Sequence, residues 1–241
     1  TRVDIDYHNG NQESVVPVLN VSVSTKAVVA MKEKVRKNEI FHIHIGKCGS
    51  TVGWAMRKSK IPFNSVHASK PKYKPGKMYV INIRNPISRF ISAFNWRYHL
   101  IVKTKVKKSP HKKEKRLLKK YKNVNNFVTA RKQNKIPISS TKQIGHIRED
   151  INFYLGHIVN KLSKKNVKGI VAQESLNADM KKIFNIDVGD KKIHKNTGYS
   201  KFLSDENRVF LKKILKKDYW CIDQLYKKGL IDKEKYSILS K

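Results

Sequence analysis

Six consecutive residues, Gly46-Lys47-Cys48-Gly49-Ser50-Thr51, concentrate the chemistry this sequence can bring to one point. They follow IFHIHI (40–45), whose alternation signals a strand, and precede TVGWAMRKSK, which reads as a helix. A strand, a glycine-bearing turn and a helix together aim backbone N–H groups and a helix N-terminus at an anion. Two chemistries can be tested on spacing alone. A nucleoside-triphosphate loop reads G-x-x-x-x-G-K-[ST], with Lys directly before the hydroxyl residue. Here Lys47 precedes Gly49 and Ser50-Thr51 follow it, so an ordinary ATPase or GTPase is disfavoured. Cys48, beside a Lys at a helix start, has a setting that lowers a thiol pKa. A cysteine phosphatase also needs an Arg closing the loop, and position 54 is Trp, so Cys48 reads better as a small loop residue offering its backbone.

A second constellation is VINIRNPISRFISAF (80–94): a strand ending in Arg84, then Asn85-Pro86, then a helix carrying Arg89 and Ser92. Asn85 suits an N-cap and Pro86 the first helical position. That arrangement brings a guanidinium and a hydroxyl to the carboxyl edge of a sheet, where open α/β folds bind ligands. The Arg fork suits a phosphate dianion because it engages two oxygens at once.

HIGKCGSTVGW resembles the 5′-phosphosulfate loop of sulfotransferases that use 3′-phosphoadenosine-5′-phosphosulfate (PAPS), which in the carbohydrate enzymes looks like H-I-P-K-[TC]-G-[GS]-T. Gly46 stands where Pro is usual. The Arg-Asn-Pro strand and its helix resemble the second motif of that family, in the expected order. Weaker likenesses follow in GIVAQESLNADMKKIFNI, in KNTGYSKFLSDE and in Tyr219 to Leu225, so the resemblance covers about residues 40–230 but not 103–160. It implies that Gly46, Lys47, Cys48, Gly49, Ser50 and Thr51 hold the 5′-phosphate of PAPS, and that Arg84 and Ser92 hold its 3′-phosphate. Arg89 is open between a ligand and a structural role. Lys47 would stabilise charge on the bridging oxygen as the bond breaks. Relatives carry a Glu or His base between the two motifs. Residues 55–83 contain no acid and a single His, which makes His67 the candidate base. Glu174 and Glu149 are next in line, and His146, Arg148 and Glu149 are candidates for touching the acceptor. The cosubstrate leaves as adenosine 3′,5′-bisphosphate, and no metal is expected. Two other readings stand beside this one: an atypical P-loop kinase, and a basic nucleic-acid-binding protein on an inactive scaffold.

The elements that must position these residues alternate between strand and helix, which predicts a single-domain α/β fold with a P-loop-like, open, mostly parallel sheet flanked by helices. Strands are expected at 40–45, 78–83 and 169–173, and helices near 123–132 and 144–162. A last helical stretch follows Ser204, with Asp205 and Glu206 in its first turn. Residues 186–202 read as a loop around Asn196-Thr197-Gly198. Residues 1–38 read as an N-terminal extension, with a possible edge strand at 16–24 and a short helix at 26–37, ahead of a domain at 39–241. Trp54 is expected in the core, and His42 and His44 as satisfied histidines on one face of the first strand.

Composition sets the outer bounds. Among 241 residues, 53 Lys and Arg face 18 Asp and Glu, a net charge of +35. Such a field favours polyanions. Residues 103–122 form a basic insertion with ten Lys and one Arg against Glu114, either an extension of a polyanion groove or a solvated arm. The expected partners are a nucleotide cosubstrate and a glycan acceptor, anionic or neutral, with no specific nucleic acid. Two cysteines exclude a disulfide framework and slightly favour a reducing cytoplasm. The resemblance instead points to the Golgi lumen. No run of about 18 apolar residues spans a membrane. The chain opens on Thr1 rather than Met, which leaves a leader or anchor ahead of it open.

Overall fold

The computed structural model describes residues 39–104, 112–189 and 198–241, within one compact unit, Lys37–Lys241. The extension at 1–38 with its strand and helix, the first part of the basic insertion, and Asn196-Thr197 lie outside the described residues.

Four strands, β1 (Ile40–His44), β2 (Phe63–Val66), β3 (Met78–Ile83) and β4 (Val167–Ala172), form one all-parallel sheet in the order β2-β1-β3-β4. The sheet is α/β as the alternation predicts. β2, FNSV, is an addition: its half-exposed edge carries too few apolar residues to register as a strand in sequence. Parallel strands need crossovers, which helices supply. These are α1 (Thr51–Lys58), α2 (Pro86–Tyr98, continued by a π turn at His99–Lys103), α3 (Lys112–Tyr121), α4 (Val124–Lys132), α5 (Ile138–Thr141), α6 (Ile151–Leu155), α7 (Leu176–Phe184), α8 (Asp205–Ile214), α9 (Lys216–Lys227) and α10 (Lys233–Ser240).

The alternation along β1 and β3 splits the core into two layers. Phe41, Ile43, Tyr79, Ile81 and Ile83 face α6, α9 and α10, packing on Tyr154, Ile222 and Leu239. Ile40 and Val80 face the other way, onto Val52 and Met56 of α1 and Met180 of α7. A third cluster joins α2, α3, α4 and α8 through Phe90, Phe94, Leu118, Phe127 and Leu211.

Two expected helices change. Residues 144–162 form only α6 and a 3-10 turn at Val159–Lys161, because Ile144–Asp150 turns tightly, with His146 in the left-handed region at φ 62. The stretch after Ser204 breaks at Leu215 into α8 and α9 and is followed by α10, capped by Asp232. The last part of the basic insertion is a helix rather than an arm: α3 buries Leu118 and Tyr121 in the helical cluster, and its one acid, Glu114, is wholly buried.

Candidate active site

The carboxyl ends of all four strands meet at one edge, and each delivers a candidate side chain there: Lys47 after β1, His67 after β2, Arg84 after β3 and Glu174 after β4. This is the edge where open α/β sheets take their ligands.

The loop after β1 is built from backbone conformation. Cys48 N–H donates to the Ile45 carbonyl at 3.1 Å, closing the turn. Lys47 has φ 71 and Gly49 φ 102, and only glycine reaches the second value without strain. Asn82 of β3 ties the loop to the sheet: its Nδ2 donates to the Gly49 carbonyl at 2.6 Å, while its Oδ1 accepts from His42 Nε2 at 2.9 Å. That leaves His42 Nδ1 to accept from Ser65 Oγ at 3.2 Å, so His42 is the satisfied buried histidine expected, its pKa lowered to about 4 by burial. α1 starts at Thr51 with Ser50 as N-cap, and no side chain caps its first amides. Those N–H groups and the helix dipole are open to an anion.

Cations surround the loop. Lys47 Nζ lies 4.3 Å from the centroid of the Trp96 ring, a cation–π contact that holds the ammonium beside the turn. Burial, then the Arg84 charge, lowers the Lys47 pKa to about 8. Arg84 Nη1 donates to the Lys47 carbonyl at 3.3 Å. Its Nε is buried with no hydrogen-bond partner and lies 3.9 Å from Glu174 Oε1. Glu174 accepts the Asn85 N–H at 3.0 Å, and burial raises its pKa against that bond and against Arg84. Ser92, half-buried on α2, shares a helix face with Ser88 and Trp96, and so with the residue under the Lys47 ammonium. Arg89 is 1% exposed and donates twice to the His146 carbonyl at 2.8 Å and once to the Gly46 carbonyl at 3.4 Å. These bonds brace the loop, a structural role, while its Nε is buried with no hydrogen-bond partner.

Cys48 is fully buried and burial pushes its thiol up to about 12, the opposite of an activated nucleophile. His67 is exposed at the mouth of the site. Its Nδ1 donates to the His44 carbonyl at 3.1 Å, which in the neutral ring places the lone pair on Nε2. The His67 ring stacks on His44 at 4.5 Å between centroids and lies 6.0 Å from His146. Burial, then the neighbouring His67, lowers the His44 pKa to about 3. Trp54 packs partly buried beside Val52 and Met56, as expected, with Lys58 Nζ 5.3 Å from its ring.

Sequence reasoning assembled the loop, Arg84, Ser92 and His67 but overlooked Asn82 and Trp96. Trp96 was detectable: Ser88, Ser92 and Trp96 recur every four residues, one face of α2. Asn82 looked like any polar residue in a strand. Among the described residues no group of three or more His, Cys, Asp or Glu side chains is placed to hold a metal ion, and no helix is long and apolar enough to cross a membrane. Comparison with protein-family models finds no match, and neither does comparison with curated proteins or with solved structures.

Proposed function

We propose that the protein is a PAPS-dependent sulfotransferase acting on a carbohydrate hydroxyl or amine. The observation that carries this reading is the convergence of Lys47, the uncapped amides of α1 and the Arg84 guanidinium, whose Nε makes no hydrogen bond, at one sheet edge. Two anion-binding features in two separate motifs suit a nucleotide with phosphates at two positions. Gly46 to Thr51 would receive the 5′-phosphate, and Arg84 with Ser92 the 3′-phosphate. Glu174 does not oppose this, because burial already favours its protonated form and an arriving dianion would favour it further.

The reaction is an in-line displacement. The acceptor oxygen attacks sulfur, the bond from sulfur to the bridging phosphate oxygen breaks, and the nucleotide leaves as adenosine 3′,5′-bisphosphate. His67 Nε2 takes the hydroxyl proton, and Lys47 stabilises the negative charge that grows on the leaving oxygen. Little covalent work falls to the protein, so positioning and charge dominate.

Calorimetry and thermal unfolding with adenosine 3′,5′-bisphosphate test the reading. At 100 times its Kd the ligand should add about 2.7 kcal/mol of stability. Arg84→Ala should weaken binding by about 1.5–3 kcal/mol, the worth of a hydrogen bond to a charged group. No binding by the parent protein, or an equal shift with ATP and Mg²⁺, would overturn the assignment.

A further inference from the structure

Gly46, the departure from the resembling pattern, has a steric cause. A Cβ built there would lie 2.9 Å from Nδ1 of His146 and 3.6 Å from Cε1 of both His146 and His67. Contacts of 2.9 Å are not tolerated, so two imidazoles roof the first residue of the loop in space that a side chain at position 46 would need.

His146 is held there at a cost. Its left-handed backbone, φ 62, is strained for a residue with a Cβ. Arg89 fixes the turn by gripping its carbonyl with both Nη1 and Nη2 at 2.8 Å. Its N–H donates to Glu149 Oε2 at 3.3 Å, and Glu149 is held in turn by Arg148 Nη2 at 2.8 Å. The ring Nδ1 is buried, has no hydrogen-bond partner and stands 3.7 Å from Glu149 Oε2. Burial, with Lys47, His67 and Arg97 nearby, lowers its pKa to about 4 despite the pull of Glu149. The nitrogen beside the Glu149 carboxylate is the same Nδ1 that stands over Gly46, so in the neutral ring a proton on Nδ1 faces the carboxylate and Nε2 is left to handle a hydroxyl.

Building on the sulfotransferase reading, we propose that His146, oriented by Glu149, is a second catalytic histidine. Its Nε2 accepts a hydrogen bond from the acceptor and holds the attacking hydroxyl at the mouth of the site beside His67, whose ring lies 6.0 Å away. Gly46 is glycine because His146 occupies the position.

The test measures transfer from PAPS to heparan sulfate alongside affinity for adenosine 3′,5′-bisphosphate. His146→Asn keeps a residue that tolerates positive φ but cannot reach the loop. It should lower kcat/KM for the acceptor on the order of 10²-fold, as misplacement of a reacting group does, with nucleotide affinity unchanged. Glu149→Gln should fall between that variant and the parent. Gly46→Ala should reproduce the loss by displacing the ring, yet cost little more in the His146→Asn background, where the space is free. A parent that transfers sulfuryl groups beside an unimpaired His146→Asn variant, or losses from Gly46→Ala and His146→Asn that simply multiply, would overturn this inference alone. A parent that neither binds the nucleotide nor sulfates an acceptor overturns both readings.

Discussion

Lys47 is the residue whose charge state decides most. Burial and the neighbouring Arg84 guanidinium favour its neutral form and lower its pKa to about 8. The ammonium is present below that value and lost above it. If the cation stabilises the leaving oxygen, kcat/KM should be flat at neutral pH and fall as pH rises through about 8. A bound phosphate dianion favours the ammonium, so the same limb should appear at higher pH in kcat. Lys47→Arg keeps a charge that does not titrate in this range and should erase the limb. Lys47→Ala should lower kcat by on the order of 10²–10³, with a smaller effect on nucleotide binding. Turnover near that of the parent in Lys47→Ala, or an alkaline limb that survives in Lys47→Arg, would remove Lys47 from the chemistry.

At the scale of elements, α3 shows how a single acid can govern a basic segment. Glu114 is 0% exposed, and its carboxylate accepts Arg97 Nε at 2.6 Å and Nη2 at 2.7 Å, and the Gly145 N–H at 3.1 Å. It therefore joins α3 both to the end of α2 and to the turn that carries His146. Removing one partner of a buried pair leaves the other charge stranded. Glu114→Ala should cost about 3–5 kcal/mol in urea unfolding, and adding Arg97→Met should recover part of the loss. A cost below about 1 kcal/mol would mean the contact is dispensable. In sequence Glu114 stands out only as the one acid of a basic segment, with no sign of its burial or of its partners. The elements around the loop were legible because local rules and tertiary structure agree there. IFHIHI alternates as a strand must, and Asn85 caps α2 by accepting the Ser88 N–H at 3.0 Å, with Pro86 at the first helical position. The turn at 144–150 was illegible because Arg89 and Glu114, far away in sequence, dictate it.

For the whole molecule, several acids are buried or tied to a lysine. Glu114, Glu149, Asp179 and Asp218 are buried, and Glu39 and Glu206 pair with Lys77 and Lys132. The net charge of +35 already counts every acid, so Lys and Arg dominate the surface even where carboxylates are exposed. The cations are also unevenly placed. Lys70 and Lys72 are exposed just after His67, whereas the chain then returns along β1, so that Lys74 lies over Phe41 and Lys77 on Glu39 at the far end. On α3 the exposed positions Lys113, Lys115, Arg116, Lys119 and Lys120 are all basic. Such surfaces concentrate anionic chains and repel nothing a neutral sugar carries. We therefore expect an anionic or partly sulfated glycan as acceptor rather than a small phenol, which needs a closed apolar pocket. Exposed charges are screened over about 8 Å at physiological ionic strength. The KM for heparan or chondroitin sulfate should accordingly rise steeply between low and high salt, while that for a neutral oligosaccharide should scarcely move. Substituting Lys113, Lys115 and Arg116 by Gln should flatten the salt dependence without changing affinity for adenosine 3′,5′-bisphosphate. Preference for phenols, or turnover of sulfated glycans indifferent to salt, would overturn the acceptor assignment and leave the nucleotide site standing.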